Sequence, residues 1–205
     1  MTSRHPSAFS FHFSSFELSF RMKFALALLF FIVCTFPALA GWQSYECQLA
    51  IDKYHDGDSF SGKAQTGYTY VWRLYGVDCP EADERQSERL EEQAKHFGVD
   101  TKTVLKWGRE AADFTAKTLS RGYTAHTQKH DARGASRKNR YYAVILVKNQ
   151  DLAELLVLEG LARAFGMSVA FPPDKNVDEE RFMRNLRNLE NRAKSAKKGI
   201  WSESK

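Results

Sequence analysis

Two aspartates, one glutamate and two arginines stand at the ends of strand-like runs in three short segments. These are His55-Asp56-Gly57-Asp58-Ser59, Trp72-Arg73-Leu74-Tyr75-Gly76-Val77-Asp78-Cys79-Pro80-Glu81 and Arg137-Lys138-Asn139-Arg140-Tyr141-Tyr142. Carboxylates placed where the backbone leaves a sheet can converge on one hard cation, which takes oxygen ligands at about 2.3–2.6 Å. Asp58, after its glycine turn, and Asp78, before Cys79-Pro80, are the candidates. Glu81 can accept a proton from water, and Arg73 and Arg140 can grip a phosphate through paired N–H groups. The set is a kit for holding a divalent cation, activating a water and neutralising a phosphate. Each residue alone also has a plainer use. Asp-Gly-Asp is a common turn, an Arg73–Glu81 salt bridge needs no ligand, and Arg140 is one of several basic residues in a loop.

The elements that must position these groups follow from periodicity. Residues 43–52 alternate, with Tyr45, Cys47, Leu49 and Ile51 on one face of a strand. A second strand is expected at 59–64. The strongest strand signal is 68–77, where Tyr68, Tyr70, Trp72 and Leu74 share one face and Arg73 points away from it. Pro80 ends that run. A charged helix is expected over 82–97, with Leu90, Ala94 and Phe97 as a thin apolar stripe and Arg85 four after Glu81. A second helix is expected over 102–119. Strands at 123–129 and 141–147 flank a basic loop, a short helix covers 151–159, and a last helix covers 178–198, with Trp201 packing back on the body. Five strands with these helices fit an α+β fold with a mainly β core. The architecture is a five-stranded OB-type Greek-key barrel with about three helices plus an extra surface helix.

With these segments in order, the chain over 43–203 resembles the staphylococcal nuclease (thermonuclease) family. The turn Asp56-Gly57-Asp58, the segment Arg73 to Glu81, Arg140 before a strand, Leu156-Val157-Leu158-Glu159-Gly160-Leu161-Ala162-Arg163 and Gly199-Ile200-Trp201-Ser202-Glu203 carry the resemblance. It implies calcium-dependent hydrolysis of DNA and RNA phosphodiesters to 3′-phosphate products. It also implies that Asp58 and Asp78 hold Ca²⁺ by carboxylate and Cys79 by its backbone carbonyl. Arg73 and Arg140 would stabilise the charged phosphorus centre and Glu81 would be the general base. Arg137 and Lys138 would touch the substrate, with Arg137 the alternative to Arg140. The stretch 82–106 is longer than in that family. A second reading is a non-catalytic OB-type module that binds nucleic acid through a basic groove and aromatic platforms.

Composition sets the frame. The 205 residues suit one domain with extensions; 43 % are hydrophobic and 27 % charged, which supports a packed core. A net charge of +5 is compatible with an anionic partner. Arg21-Met22-Lys23, the apolar run Phe24 to Phe36 and Ala38-Leu39-Ala40 read as a signal peptide cleaved between Ala40 and Gly41. Residues 1–21 then precede the true start at Met22, residues 22–40 are the signal, and 41–205 are the nuclease-like domain. A secreted or periplasmic monomer without stable membrane association is expected. Cys47 and Cys79 would remain, paired or as buried thiols, and neither histidines nor cysteines show zinc-site spacing.

Overall fold

Alternation decides which way each strand faces, and Trp72 and Leu74, both buried, turn inward while Arg73 between them turns out. The computed structural model describes residues 41–50, 56–132, 139–166 and 179–204. In chain order the strands and helices begin with β1 (Gln43–Leu49), β2 (Ser59–Ala64), β3 (Thr69–Leu74) and β4 (Val77–Asp78). There follow α1 (Ser87–Phe97), α2 (Thr101–Leu119), β5 (Tyr123–Thr127) and β6 (Arg140–Val147). The chain continues with β7 (Gln150–Asp151), α3 (Leu152–Leu158), β8 (Arg163–Ala164), α4 (Glu179–Ser195) and a 3₁₀ turn at Gly199–Ser202.

Five of the strands close a barrel. Antiparallel neighbours run β3-β2-β1-β5-β6, and a parallel pairing of β6 with β3 seals it. That register sets Val71 opposite Arg140 and Arg73 opposite Tyr142, so both arginines lie on the outer face of adjacent strands. This is the α+β, OB-like barrel with four helices that the periodicity predicts. The core joins Phe60, Trp72, Leu74, Ala125 and Ile145 of the barrel to Leu152 and Leu156 of α3 and Leu186 of α4. A second cluster holds α1: Leu90, Ala94 and Phe97 pack on Val104, Ala193, Ile200 and Trp201. Trp201 thus returns to the body as expected.

Several boundaries differ from the sequence expectation for physical reasons. The run expected at 68–77 breaks at a Tyr75-Gly76 turn, where Gly76 holds φ +67°. Beyond the turn β4 leaves the barrel and pairs with β8 instead. The helix expected from residue 82 starts at Ser87. Glu81 Oε1 accepts the N–H groups of Ala82 and Asp83, and Asp83 Oδ1 accepts that of Arg85. Side chains that satisfy those donors compete with a helical turn. Arg85 accordingly bonds Asp83, not Glu81. Strand β5 stops at Thr127 because Thr127 Oγ1 takes the N–H of Lys129, whose φ is +56°.

Cys47 and Cys79 are free and buried. Burial pushes the Cys47 thiol up to about 11 and raises Cys79 as well. Since the thiolate is the nucleophile, neither residue reacts with iodoacetamide at pH 8 in the native protein, and both react after unfolding in guanidinium. Peptide mapping of the alkylated protein checks this. Labelling of either cysteine in the native state would contradict the packing.

Candidate functional site

The Asp-Gly-Asp turn is shaped by its own first carboxylate. Asp56 Oδ1 accepts the N–H groups of Asp58 at 3.2 Å and Ser59 at 2.5 Å. Its glycine lies flat on the protein. A Cβ at Gly57 would fall 2.6 Å from Cys79 Sγ and 2.8 Å from Ala111 Cβ of α2. Thr115 of α2 then donates its hydroxyl to the Gly57 carbonyl at 2.7 Å. Helix α2 therefore fixes the turn that carries Asp58. Asp78 is placed by the short β4–β8 pairing, which sets it directly opposite Arg163.

These two buried carboxylates meet at Arg73. Its Nη1 bonds Asp58 Oδ1, and its Nη2 donates to Asp78 Oδ1 at 3.2 Å and to the Val77 carbonyl at 3.3 Å. Asp58 Oδ2 accepts the Cys79 N–H at 2.8 Å. Around Asp78 the donors multiply. Arg89 Nη2 reaches Oδ1 at 2.9 Å, while Gln93 Nε2 and Arg163 Nε each reach Oδ2 at 3.0 Å. The same Gln93 Nε2 also donates to the Cys79 carbonyl at 2.9 Å. Arg163 in turn grips Glu92 in bidentate fashion, both bonds at 2.7 Å.

Glu81 joins the network through α1. Arg89 Nε donates to Glu81 Oε2 at 3.1 Å while its Nη2 holds Asp78, and the Glu81 N–H donates to Gln93 Oε1 at 2.6 Å. Arg140 sits one strand over. Its Nε donates to the Ala132 carbonyl at 2.8 Å and its Nη1 to Ser59 Oγ at 3.4 Å, and Ser59 pairs in register with Arg73.

The electrostatics separate the two aspartates. Burial raises Asp58 well above the usual carboxylate range; the Arg73 guanidinium opposes this, and the nearby Asp56 and Asp78 reinforce it. Burial acts on Asp78 in the same direction, but Arg73, Arg89 and Arg163 together outweigh it and leave the group at about 2. Arg73 is held above its ordinary value because Asp58, Asp78 and Asp56 overcome its burial. Arg140 is lowered by burial and then by the like charge of Arg73.

Of the residues singled out in the sequence, Asp58, Arg73, Asp78 and Cys79 thus share direct bonds, Glu81 is linked through one guanidinium, and Arg140 flanks them. Arg137, Lys138 and His55 lie outside the described residues. The plain Arg73–Glu81 salt bridge is not the arrangement found: Arg73 bonds both aspartates, and Glu81 bonds Arg89. Three contributors escaped the sequence reading: Arg89, Gln93 and Arg163. Gln93 had a signal. It falls at the i+3 position of the Leu90, Ala94, Phe97 stripe, the one inward place filled by a polar residue, and it is fully buried. Arg163 is 1 % exposed, and nothing in its apolar surroundings in the sequence announces a buried charge.

Whether the centre suits a hard divalent cation is a question of donor chemistry. Asp58 and Asp78 offer carboxylate oxygens that already enclose one positive group, and Asp58 is burdened by burial and by its acidic neighbours. Carboxylate oxygens are the donors Ca²⁺ takes. Arg73 already bonds both aspartates, however, and the Cys79 N–H, Arg89, Gln93 and Arg163 also donate to their oxygens, so calcium would bind here only in place of some of these bonds. The fit rests on these two side chains and adjoining backbone. Among the described residues no group of three His, Cys, Asp or Glu side chains gathers as a ligand cluster. The arrangement can do two things at once: hold positive charge against a phosphate and keep a carboxylate, Glu81, within the same network.

Among the described residues no helix is long and apolar enough to cross a membrane. A family model described as staphylococcal nuclease homologue matches residues 71–203, from within β3 through the 3₁₀ turn. The match takes in Arg73, Asp78, Cys79, Glu81 and Arg140, and Asp58 precedes it. No curated protein matches the chain.

Proposed function

The chain belongs to the staphylococcal nuclease homologue family, and from that premise we propose that it is an exported, calcium-dependent nuclease of DNA and RNA. The observation that supports this most is the meeting of Asp58 and Asp78 on the Arg73 guanidinium, with Arg140 on the adjacent strand. Phosphodiester hydrolysis develops negative charge on phosphorus-bound oxygens, and fixed guanidiniums in a half-buried site stabilise that charge without reorganising. Arg73 and Arg140 fill that role.

Glu81 takes the proton of the attacking water. Its carboxylate is steadied by the Ala82 and Asp83 N–H groups on one oxygen and by Arg89 on the other. The water oxygen bonds to phosphorus, the bond to the 5′ oxygen breaks, and that oxygen takes a proton from solvent and leaves as a hydroxyl, so the phosphate stays on the 3′ end. Asp58 and Asp78 would hold calcium by carboxylate, beside the Cys79 carbonyl; when bound it supplies further positive charge to the phosphate. Export rests on the signal-like stretch 22–40, and a monomer suffices for this centre.

Incubation of the purified protein with plasmid DNA and with RNA tests the reading, each with calcium, magnesium or chelator. Cleavage is expected with calcium, with 3′-phosphate ends. Cleavage that persists in chelator would remove calcium from the proposal, and no cleavage in any condition would favour the non-catalytic binding module.

Gly108 of α2 gives an independent check on Glu81. A Cβ there would lie 2.5 Å from the Glu81 carbonyl oxygen and 2.7 Å from that of Pro80. Both obstacles are backbone and cannot swing aside. Gly108→Ala therefore shifts the segment that carries Glu81, at a cost of about 1–3 kcal/mol in stability. Hydrolysis should fall with it although residue 108 touches no substrate. Thermal melting and initial rates read the two effects. An alanine variant with wild-type values for both would show that the Glu81 segment is not pinned.

A further inference from the structure

Tyr45, Tyr68, Tyr70 and Tyr141 form a patch at the barrel end where β1, β3 and β6 begin. Tyr70 is its centre, with ring centroids 5.1 Å from Tyr45, 6.5 Å from Tyr68, 6.4 Å from Tyr141 and 4.9 Å from Trp72. The layers differ in burial. Trp72 is fully buried and belongs to the core; Tyr45, Tyr70 and Tyr141 are half-buried; Tyr68 is 69 % exposed. Core packing accounts for the inner ring and gives no reason for the outermost one.

A cation is held over this patch. Lys129 Nζ lies 5.3 Å from the ring centroids of both Tyr45 and Tyr70. It gets there through a left-handed backbone, φ +56°, that lysine seldom adopts. The conformation is enforced from below: Thr127 Oγ1 accepts the Lys129 N–H at 2.8 Å and donates to the Tyr142 carbonyl at 2.6 Å. Backbone of this kind persists where the surroundings over-determine it, and such places cluster at ligand sites. The patch and the arginine centre take opposite faces of the same strands: Tyr68, Tyr70 and Tyr141 lie with Trp72, and Arg73 and Arg140 lie on the outer face. Tyr141 follows Arg140 directly, and the His130 and Ala132 segment bonds the β6 backbone on either side of Tyr141.

We propose that this patch is a subsite for unpaired bases of a single-stranded nucleic acid, on the opposite face of the strands that carry Arg140 and Arg73. It rests on the nuclease reading for what lies at the arginines. The exposed ring of Tyr68 can stack on a base of any identity, and the ammonium of Lys129 over Tyr45 and Tyr70 pairs with the backbone phosphates. Stacking needs bases freed from a duplex, so the subsite favours single strands over paired ones and is indifferent to sequence.

Fluorescence anisotropy in chelator, with the full chain and a labelled twelve-residue oligothymidylate, measures the subsite without hydrolysis. Tyr68→Ala weakens binding at least about fivefold, the equivalent of the low end for losing one stacked base. Tyr68→Trp restores it, and affinity for a hairpin duplex of equal length is unchanged in both variants. Hydrolysis of bis(p-nitrophenyl) phosphate, a diester without bases, is measured in parallel and stays at the wild-type rate in Tyr68→Ala. Unchanged oligothymidylate affinity in Tyr68→Ala overturns the proposal. So does a loss of self-association in sedimentation with oligonucleotide affinity intact, which assigns the patch to a second copy of the chain. If wild type hydrolyses neither diester nor plasmid while binding still depends on Tyr68, the nuclease reading fails and the base subsite stands.

Discussion

Asp78→Asn lowers the melting temperature by roughly 10 °C, measured in chelator at pH 7. The reason is the number of charges that depend on this one carboxylate. Arg73, Arg89 and Arg163 all bond it, and Arg163 and Asp78 are each only 1 % exposed by side chain. Removing one partner of a buried pair leaves the other charged and desolvated, which costs about 3–5 kcal/mol. At a few degrees per kcal/mol for a chain of this size, that is a shift of this order. The comparison variant is Asp83→Asn. Asp83 also bonds an arginine, Arg85, but that pair is largely in water and is expected to leave the melting temperature unmoved. The pH dependence has a definite sign. Asp78 is held at about 2, below its ordinary value, so its contribution is complete above about pH 4 and is lost as pH falls toward 2. The gap between wild type and Asp78→Asn should therefore be full at pH 7 and narrow below pH 4. A constant gap across that range would mean that the guanidiniums do not hold the carboxylate down.

Arg73→Ala abolishes hydrolysis to within detection, a loss of at least about 10³ in rate, the scale on which arginines act in phosphoryl chemistry. Two contributions combine. The phosphate loses a guanidinium, and Asp58 and Asp78 lose the group that holds them together. Arg73→Lys separates them: a lysine keeps the charge but cannot bond two carboxylates and a phosphate in one plane, so stability recovers more than rate does. Glu81→Gln is the companion variant. Gln can still accept from the Ala82 and Asp83 N–H groups, so the fold is kept while the proton acceptor is gone. Initial rates on plasmid DNA, with melting curves as control, read both. Unchanged hydrolysis in Arg73→Ala and Glu81→Gln would show that these residues do not have the assigned roles, even with the barrel intact.

The barrel was readable because its strands obey a period of two. Tyr70, Trp72 and Leu74 on one side and Arg73 on the other is a pattern that permits only one orientation once Trp72 is inside. Asp58 and Asp78 stand where the chain enters or leaves a strand, while Arg73 is turned outward by the same alternation that turns Trp72 and Leu74 in. What could not be read depends on long-range pairing. Nothing near Asp78 in the chain reveals that it leaves the barrel at Gly76 to meet Arg163, a partner 85 positions away. The same holds for Arg89. On a charged helix its spacing resembles that of its solvated neighbours, and only the docking of α1 by Leu90, Ala94 and Phe97 turns it toward Asp78 and Glu81. The start of α1 was missed for a local reason: Glu81 and Asp83 satisfy backbone donors that a helix would otherwise have used.

The pairing of β4 with β8 separates two events along the chain. All five barrel strands are complete by Val147, but Arg163 joins Asp78 only with a strand that comes after α3. All five barrel strands thus precede the residue that supplies one of Asp78's counter-charges. The bonds around Asp78 can therefore be complete only after the chain has passed Arg163.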